Sequence, residues 1–450
     1  MRLPEHGLSA SATLDALRDL KAGDTRWLEG RAFSLVYVAD HEAHRLLADA
    51  AALYVGENAL NTEAFPSLRR MQSDILGITA DLLQGGETAA GFMTSGGTES
   101  LLMAVQVARD VGRQRGITNP NMVLATSAHA AFAKASHYFG VESRRVPVAS
   151  DWRADVDAMA AAFDDDTVLV VGSAPTYPQG VVDPIPALAA LANERGILCH
   201  VDACMGGFIL PFLERLGHFD TDAHPWDFRV KGVTSISADI HKYGYAAKGA
   251  STITYRSKDL RRHQAFVFDG WLGGMYGSPS MQGTRAAGPI ACAWAILHHL
   301  GMEGYLAKAA DTWEATQALL ALVRSYPALE VRGEPDATLF AFGAAPRSGA
   351  APRSDPASSD PATSDPATSD PATSDPAASG LDAFALGAAL HRIGGWHFDR
   401  QTPPDSLHAT VNAIHRGILD ELTADFAKAM AEVGVAAPTT DRSTTYGTVE

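Results

Sequence analysis

A lysine and an aspartate are the first residues of this chain whose types and positions could support chemistry. Lys242 follows His241 in the segment Ser-Ala-Asp-Ile-His-Lys-Tyr-Gly, and a lysine amine can form a Schiff base with a carbonyl group. Asp202, forty positions earlier, lies in the segment His-Val-Asp-Ala at the end of a predicted strand, where a carboxylate is costly to bury unless it has a partner. Most lysines are surface charges, and Asp202 could instead cap a helix, so neither residue decides the chemistry alone.

A glycine turn adds a potential anion site. Gly96 and Gly97 lie in Thr-Ser-Gly-Gly-Thr-Glu-Ser, between a predicted strand and a helix predicted over residues 101–111. Glycines allow close backbone approach, and the N–H groups at a helix N-terminus favour a phosphate. The turn matches neither GxGxxG nor GxxxxGK[ST], which argues against dinucleotide and P-loop binding. A purely structural tight turn would have the same sequence.

Together these residues are the parts of a pyridoxal 5'-phosphate (PLP) site. The turn would hold the phosphate, and Lys242 would bond to the aldehyde. Asp202 would keep the pyridine nitrogen protonated, which makes the ring a better electron acceptor. His129 follows another predicted strand and could stack on the ring.

The elements that must position these residues follow a βαβ rhythm. Apolar segments predict strands at 122–125, 167–172, 197–201 and 251–255, with helices such as 155–163 and 186–194 between them. This alternation is typical of an α/β fold with a mostly parallel sheet covered by helices. Ligands bind such sheets at the carboxyl ends of the strands, which is where the motifs lie.

We divide the chain into an N-terminal helical segment (1–60), a large domain (61–300) and a small C-terminal α/β domain (301–450). In the third part we predict a strand at 337–342, a helix at 381–393, a strand at 396–398 and a helix at 410–433. An insertion over 344–380 interrupts it and contains five pentapeptides from SDPAS to SDPAA. With a proline every five residues and few apolar side chains, we expect this insertion to be disordered.

Composition excludes several other classes of protein. A formal charge of −16 without a basic block disfavours nucleic acid and anionic membranes as partners. Three cysteines without a CxxC pair indicate reduced thiols and no zinc site. We find no signal peptide and no apolar segment of membrane-spanning length. These features predict a soluble, cytoplasmic protein.

The motifs resemble the fold-type I, PLP-dependent group II decarboxylase superfamily, and within it the sphingosine-1-phosphate lyase family. The glycine turn, His-Val-Asp-Ala and His-Lys are shared by both branches of that superfamily. The lyase-like marks include Cys204, the pair Ala238-Asp239, and Lys248 six residues after Lys242. Further marks are Gly172-Ser-Ala-Pro, Phe65-Pro66, Tyr276-Gly-Ser-Pro and Gly283-Thr-Arg. The resemblance covers about residues 30–300 well and the C-terminal part loosely.

The resemblance implies a role for each matching residue. Lys242 would bind the cofactor covalently, Asp202 would contact the pyridine nitrogen, and His129 would stack on the ring. The cofactor phosphate would be surrounded by Gly96, Gly97, Thr98 and His241, with Gly283 and Thr284 reaching it from the second subunit of a homodimer. The substrate phosphate would be held by Lys248, Tyr37, Asn58 and Asn61.

The implied activity is retro-aldol cleavage of a phosphorylated long-chain base to a fatty aldehyde and phosphoethanolamine. Its general base stays open among His129, His241 and Tyr177. Two positions depart from the family pattern: Asn61 replaces a histidine of the eukaryotic lyases, and Ala247 replaces the proline that usually precedes the substrate-binding lysine. Two alternatives are an amino-acid decarboxylase on the same scaffold and a non-catalytic PLP-fold binding protein.

Overall fold

A seven-stranded sheet forms the centre of the structure, a computed structural model that describes residues 2–346, 380–434, 439 and 441–444. Its strand order is β1-β7-β6-β5-β4-β2-β3. The strands are β1 (Ala90–Thr94), β2 (Asn121–Ala125), β3 (Glu142–Val146), β4 (Thr167–Ser173), β5 (Leu198–Asp202), β6 (Ser235–Ala238) and β7 (Ser251–Tyr255). Only β7 runs against its neighbours, so the mostly parallel sheet expected from the βαβ rhythm is present.

Helices cover both faces of this sheet. Within β2, Met122 and Leu124 pack into one apolar cluster, whereas Val123 packs into another on the opposite face. Such two-sided burial explains why the strands are almost continuously apolar. The helices are α1 (Ala10–Leu20), α2 (His41–Leu53), α3 (Pro66–Leu82), α4 (Gly97–Gln114), α5 (Ala131–Phe139), α6 (Val156–Ala161), α7 (Ile185–Arg195), α8 (Leu210–Arg215), α9 (Lys258–Arg261), α10 (Ala287–Arg324), α11 (Ala383–Gly394) and α12 (Leu419–Val433).

The direction of the strands brings the chemical motifs to one edge. β1, β2, β5 and β6 point the same way, because β1 and β6 both run antiparallel to β7 and the others are parallel to β6. Their carboxyl ends lead respectively into the glycine turn, His129, Asp202 and the Lys242 segment. The sheet therefore gathers residues that are up to 146 positions apart in the chain (96 to 242).

A second, antiparallel sheet follows α10. It has the order β10-β11-β13-β12, from β10 (Leu329–Val331), β11 (Leu339–Ala344), β12 (Asp399–Gln401) and β13 (Ser406–Thr410). With α11 and α12 it encloses a separate apolar cluster that includes Phe340, Phe342 and Trp396. The division at residues 60 and 300 stays a prediction; α10 passes through residue 300 and leaves helical geometry at Gly301.

Two predictions in this region are wrong. The helix predicted over 410–433 begins only at Leu419, because Thr410 completes β13 and pairs with Leu339. Asn412 then caps a short 3-10 turn in reciprocal hydrogen bonds with His415. The strand predicted at 396–398 lies three residues later, since Trp396 is instead buried against Asp425 through its indole N–H. Residues 347–379 of the predicted disordered insertion lie outside the described residues.

Two segments project apolar side chains into solvent. α1 has no buried residue, and Leu14 and Leu17, which share a helical face, are exposed. The hairpin of β8 (Phe266–Phe268) and β9 (Tyr276–Ser278) exposes Trp271 and Leu272 at its tip. Within the described ranges, no helix is both apolar and long enough to cross a membrane.

Candidate active site

The glycine turn opens α4 directly after β1. Gly97 is the first residue of the helix, so its N–H is among those that no preceding turn can satisfy. A Cβ atom at Gly97 would lie 2.8 Å from both Asp239 Oδ2 and Cys204 Sγ. Glycine is therefore required by packing, and the helix N-terminus sits directly against two other strand ends.

Asp202 is held in a fixed orientation at the end of β5. Its Oδ1 accepts hydrogen bonds from the Cys204 backbone N–H at 3.1 Å and from the Ser237 hydroxyl at 3.2 Å. The side chain is buried, at 7% exposure. These contacts leave the carboxylate directed at the cavity instead of capping a helix.

Lys242 lies on the loop that follows β6. Its Nζ is 3.1 Å from Asp239 Oδ2, and His241 Nε2 is 3.5 Å from the same oxygen. Tyr243 anchors the loop, because its buried hydroxyl donates to the carbonyl oxygens of Thr338 and Val411 in the C-terminal unit. The position of the lysine is thus fixed by both sheets.

His129 lies opposite these residues, after β2. Its Nδ1 accepts a hydrogen bond from the Ala131 N–H at 3.0 Å. Burial lowers the pKa of His129, and this outweighs the opposing charge of Asp202. The ring is therefore neutral at neutral pH, with its proton on Nε2.

All these groups face one cavity of about 500 Å³. Seven of the predicted site residues line it: Gly96, Gly97, Thr98, His129, Asp202, His241 and Lys242. They fit PLP on chemical grounds, as an amine, a carboxylate and a helix N-terminus face one space. In addition, His241 Nδ1 is buried without a hydrogen-bond partner among the described residues, and His241 Cε1 lies 3.5 Å from where a Cβ on Gly96 would be. A phosphate bound at the turn would supply that missing partner.

Lys248 and Tyr37 lie beside this cavity without lining it. The Lys248 ammonium group donates to the His241 carbonyl at 3.1 Å and lies 4.8 Å from the centre of the Tyr37 ring. The Tyr37 hydroxyl contacts Met205, a residue of the cavity wall, at 3.6 Å. The Lys248 residue as a whole is exposed, but partial desolvation of its ammonium group, together with the charge of Lys242, lowers the pKa of Lys248 to about 8.

Four predicted residues lie outside the cavity of their own chain. Asn58 and Asn61 use their side-chain oxygens to accept from Leu60 and Glu63 in local turns. Gly283 and Thr284 are exposed and do not line the cavity. The loop of Asn58 and Asn61 lies beside the segment of Gly283 and Thr284, because Asn58 pairs with Ala286 in an isolated bridge.

The structure also reveals functional candidates that the sequence reading did not assign. Buried Glu99 accepts from Ser95 through Oε2, and through Oε1 from the Ser280 hydroxyl at 2.7 Å and the Met281 N–H at 2.8 Å. It thereby fixes the 278–282 loop to the glycine turn. Asp239 is the second. The sequence places Asp239 three residues before Lys242, but no local pattern indicates which groups its carboxylate contacts.

Fold and site together define a PLP-dependent enzyme. The sequence matches the family described as "Pyridoxal-dependent decarboxylase conserved domain" over residues 3–345. The chain therefore belongs to the pyridoxal-dependent decarboxylase family.

The relatives point to one branch of this family. The chain is 42% identical to sphingosine-1-phosphate lyase 1 of Rattus norvegicus over 76% of this chain and 60% of the rat protein. It is 37% identical to the sphingosine-1-phosphate lyase of Arabidopsis thaliana over 96% of this chain and 74% of the plant protein. A solved sphingosine-1-phosphate lyase structure from Burkholderia pseudomallei is 36% identical, with a TM-score of 0.84 over 96% of this chain and 93% of that one. The chain thus spans 60% to 74% of these two curated relatives and nearly all of the bacterial structure.

Proposed function

We propose that this chain is a carbon–carbon lyase that cleaves sphingosine 1-phosphate, or another phosphorylated long-chain base, to a fatty aldehyde and phosphoethanolamine. The observation that carries the proposal is Lys248, a second lysine beside the cofactor cavity whose ammonium group faces Tyr37. A substrate with a phosphate end group needs such a cation, whereas decarboxylation of an amino acid does not. The relatives named above carry the same activity in their names.

In the proposed reaction, some residues of the chain bind the cofactor and others transfer protons. Bound PLP supplies an electron-accepting ring for the electrons that remain on C2 of the substrate when the C2–C3 bond breaks. Lys242 would hold the cofactor through its aldehyde until the substrate amine takes its place, and Asp202 would keep the pyridine nitrogen protonated. A base removes the C3 hydroxyl proton, the aldehyde leaves, and a proton returned to C2 completes phosphoethanolamine.

The geometry narrows the choice of base. The Nδ1 lone pair of His129 is engaged by the Ala131 N–H, so the neutral ring has its proton on Nε2 and is suited to stacking or donating. Tyr177 lines the cavity and donates its hydroxyl proton to Asp399 Oδ2 at 2.8 Å. These contacts disfavour His129 as the group that accepts the C3 hydroxyl proton.

Replacing Lys248 with alanine tests the substrate assignment. Loss of a hydrogen bond between charged groups costs about 1.5–3 kcal/mol, so we expect KM for the phosphorylated base to rise about 10- to 100-fold. Steady-state kinetics with sphingosine 1-phosphate measure this change. Lys231→Ala is the matched control, because Lys231 is exposed at the opposite, amino end of β6 and should leave KM unchanged.

The same lysine predicts a pH dependence. A pKa of about 8 means that Lys248 is charged below pH 8 and loses its proton above it. Thus kcat/KM, which reports the free enzyme, should fall for the phosphorylated substrate as pH rises through about 8. The fall should be missing from Lys248→Ala. An unchanged KM in this variant, or an identical pH profile, would count against a phosphate at this position.

We further propose that two chains form a homodimer with shared sites. Gly283 and Thr284 are exposed and follow the cavity-lining residues Met281 and Gln282 without lining that cavity themselves. Their segment pairs with the Asn58 loop through Ala286, and the hairpin that precedes it in the chain exposes Trp271 at its tip. Large exposed apolar groups mark interaction surfaces, and a partner chain would cover them while receiving these loops at its own site. The exposed face of α1 supports the same arrangement.

Mixed dimers of two inactive variants test the sharing. Lys242→Ala removes the cofactor lysine, and Gly283→Glu places a negative charge where no atom lies within 4 Å of the new Cβ. In a mixed dimer one site keeps both an intact lysine and an intact partner loop, so about half of the wild-type activity per dimer should return. Sites built within one chain would give no recovery on mixing.

We also propose a reducing, cytoplasmic compartment for this reaction. Cys199, Cys204 and Cys292 are all buried free thiols, which supports the interpretation drawn from their number and spacing.

A further inference from the structure

We propose that Asp239 is a positioning residue of this site, which holds the side-chain nitrogen of Lys242 in place and keeps it charged whenever that nitrogen is not bound to the cofactor. The proposal concerns the cofactor lysine alone. It therefore does not depend on the identity of the substrate.

The contacts of the two carboxylate oxygens carry the proposal. Oδ2 lies 3.1 Å from Lys242 Nζ, which is ion-pair distance, and 3.5 Å from His241 Nε2. Oδ1 accepts the Ser251 hydroxyl at 2.5 Å. Asp239 is only 2% exposed, so one oxygen is committed to the protein frame while the other is aimed at the cofactor lysine.

A buried chain of hydroxyl groups fixes this orientation. The Ser251 oxygen lies 3.0 Å from that of Ser100, which lies 2.6 Å from that of Thr94. These residues belong to β7, α4 and β1, so three elements support a single carboxylate. Gly97 closes the other side, since a Cβ there would be 2.8 Å from Oδ2. Any side chain at position 97 would therefore displace the carboxylate.

The electrostatics of the cavity agree with this geometry. Burial by itself raises the pKa of Asp239, but the charges of Lys242 and His241 outweigh it and hold that pKa well below its usual range. The other titratable groups near the lysine are Asp202 on β5, His129 after β2, Cys204 after β5, and Lys248 on the same loop. Of the two carboxylates, Asp202 is directed by Ser237 and Cys204, whereas Asp239 directly pairs with the amine.

This arrangement suits a nitrogen that must leave the cofactor and return. During turnover the substrate amine replaces Lys242, and the released side chain would otherwise be a flexible four-carbon chain with many conformers. A fixed carboxylate keeps it within reach, and it favours the protonated form, which cannot attack the cofactor aldehyde. Asp239 therefore restrains the returning lysine until its proton is lost.

The pH dependence of cofactor attachment tests the proposal. Cofactor is removed from the full-length chain, and PLP is added as the probe. The rate at which the Schiff-base absorbance appears is measured as a function of pH, and the pH at half of the maximal rate is the midpoint. Borohydride reduction and peptide mapping confirm Lys242 as the site of attachment. A carboxylate within 4–6 Å shifts such a midpoint by about 1–3 pH units. We expect Asp239→Asn to move the midpoint down by at least about one unit, because the nitrogen becomes neutral at lower pH. Asp239→Glu, which restores the charge, should return it toward the wild-type value.

A folded Asp239→Asn chain with the wild-type midpoint would overturn the proposal, since a residue needed only for packing would alter stability and leave the midpoint in place. If this variant does not fold, the proposal is tested by removing the lysine instead of the carboxylate. In the cofactor-free chain, Lys242→Ala leaves a buried carboxylate without its cation, so the melting temperature should fall by about 5 °C. The fall should be larger at pH 8 than at pH 5, and an unchanged melting temperature at both would equally overturn the proposal.

Discussion

Lys242→Ala should abolish both the covalent attachment of PLP and the activity. Lys242 lines the cavity, and we propose that its amine bonds to the cofactor aldehyde there. Removal of a covalent catalyst together with its proton-transfer role costs at least about 10³-fold in rate. The Schiff-base absorbance should be missing after dialysis against PLP, and borohydride should trap no modified peptide. Absorbance spectra and turnover of the purified variant measure both effects.

Two controls separate this effect from a loss of fold. Lys242→Arg keeps the positive charge opposite Asp239 but cannot form the imine, so it should fold like the wild type and still lack the absorbance. Lys248→Ala should retain the absorbance, because Lys248 does not line the cavity and Lys242 is still present in this variant. Persistence of the covalent adduct in Lys242→Ala would show that another amine carries the cofactor.

Asp202→Asn should leave PLP attached and slow its chemistry. The carboxylate is fixed by Ser237 and the Cys204 N–H, and an amide in its place cannot stabilise a protonated pyridine nitrogen. Removing a preorganised electrostatic group costs on the order of 10²–10³-fold in kcat. We therefore expect such a fall in kcat with the Schiff-base absorbance of Lys242 intact.

A second buried aspartate provides the matched control. Asp183 accepts from the backbone N–H groups of Ser173 and Ala154 and does not line the cavity. Its pKa is raised to about 6 by burial. Asp183→Asn should change stability but not the kcat of the folded protein. Equal kcat in the wild type and Asp202→Asn would remove Asp202 from the mechanism.

The residues that could be predicted from the sequence are those placed by the ends of parallel strands. Gly96, His129 and Asp202 each follow an apolar segment, and Lys242 follows β6 by only a few residues. Parallel topology then carries them to one edge without further information. This is why seven of the thirteen predicted site residues line one cavity.

The contacts that the sequence could not reveal depend on long-range packing. Glu99 meets the 280–281 backbone, and Asp239 meets a hydroxyl chain from β7, α4 and β1. A motif shows which residue types are adjacent in the chain but not which way each carboxylate turns. The wrong helix start at 410 has a related cause, because pairing of β13 with β11 overrides a local helical pattern.

The two lysines that matter most are six positions apart in the chain, yet their surroundings differ. Lys242 pairs with a buried carboxylate inside the cavity, whereas Lys248 faces the Tyr37 ring and a backbone carbonyl beside it. The first contact holds Lys242 at the cavity that we propose for PLP. The second is the contact from which we propose a phosphorylated base, instead of an amino acid, as the substrate.

Product analysis tests the central claim most directly. The wild-type chain is incubated with PLP and sphingosine 1-phosphate, and in parallel with a panel of L-amino acids, with Lys242→Ala as the blank. We expect equal amounts of fatty aldehyde and phosphoethanolamine from the first incubation and no carbon dioxide from the second. Carbon dioxide released from an amino acid, without aldehyde from the phosphorylated base, would contradict the lyase assignment and identify a decarboxylase.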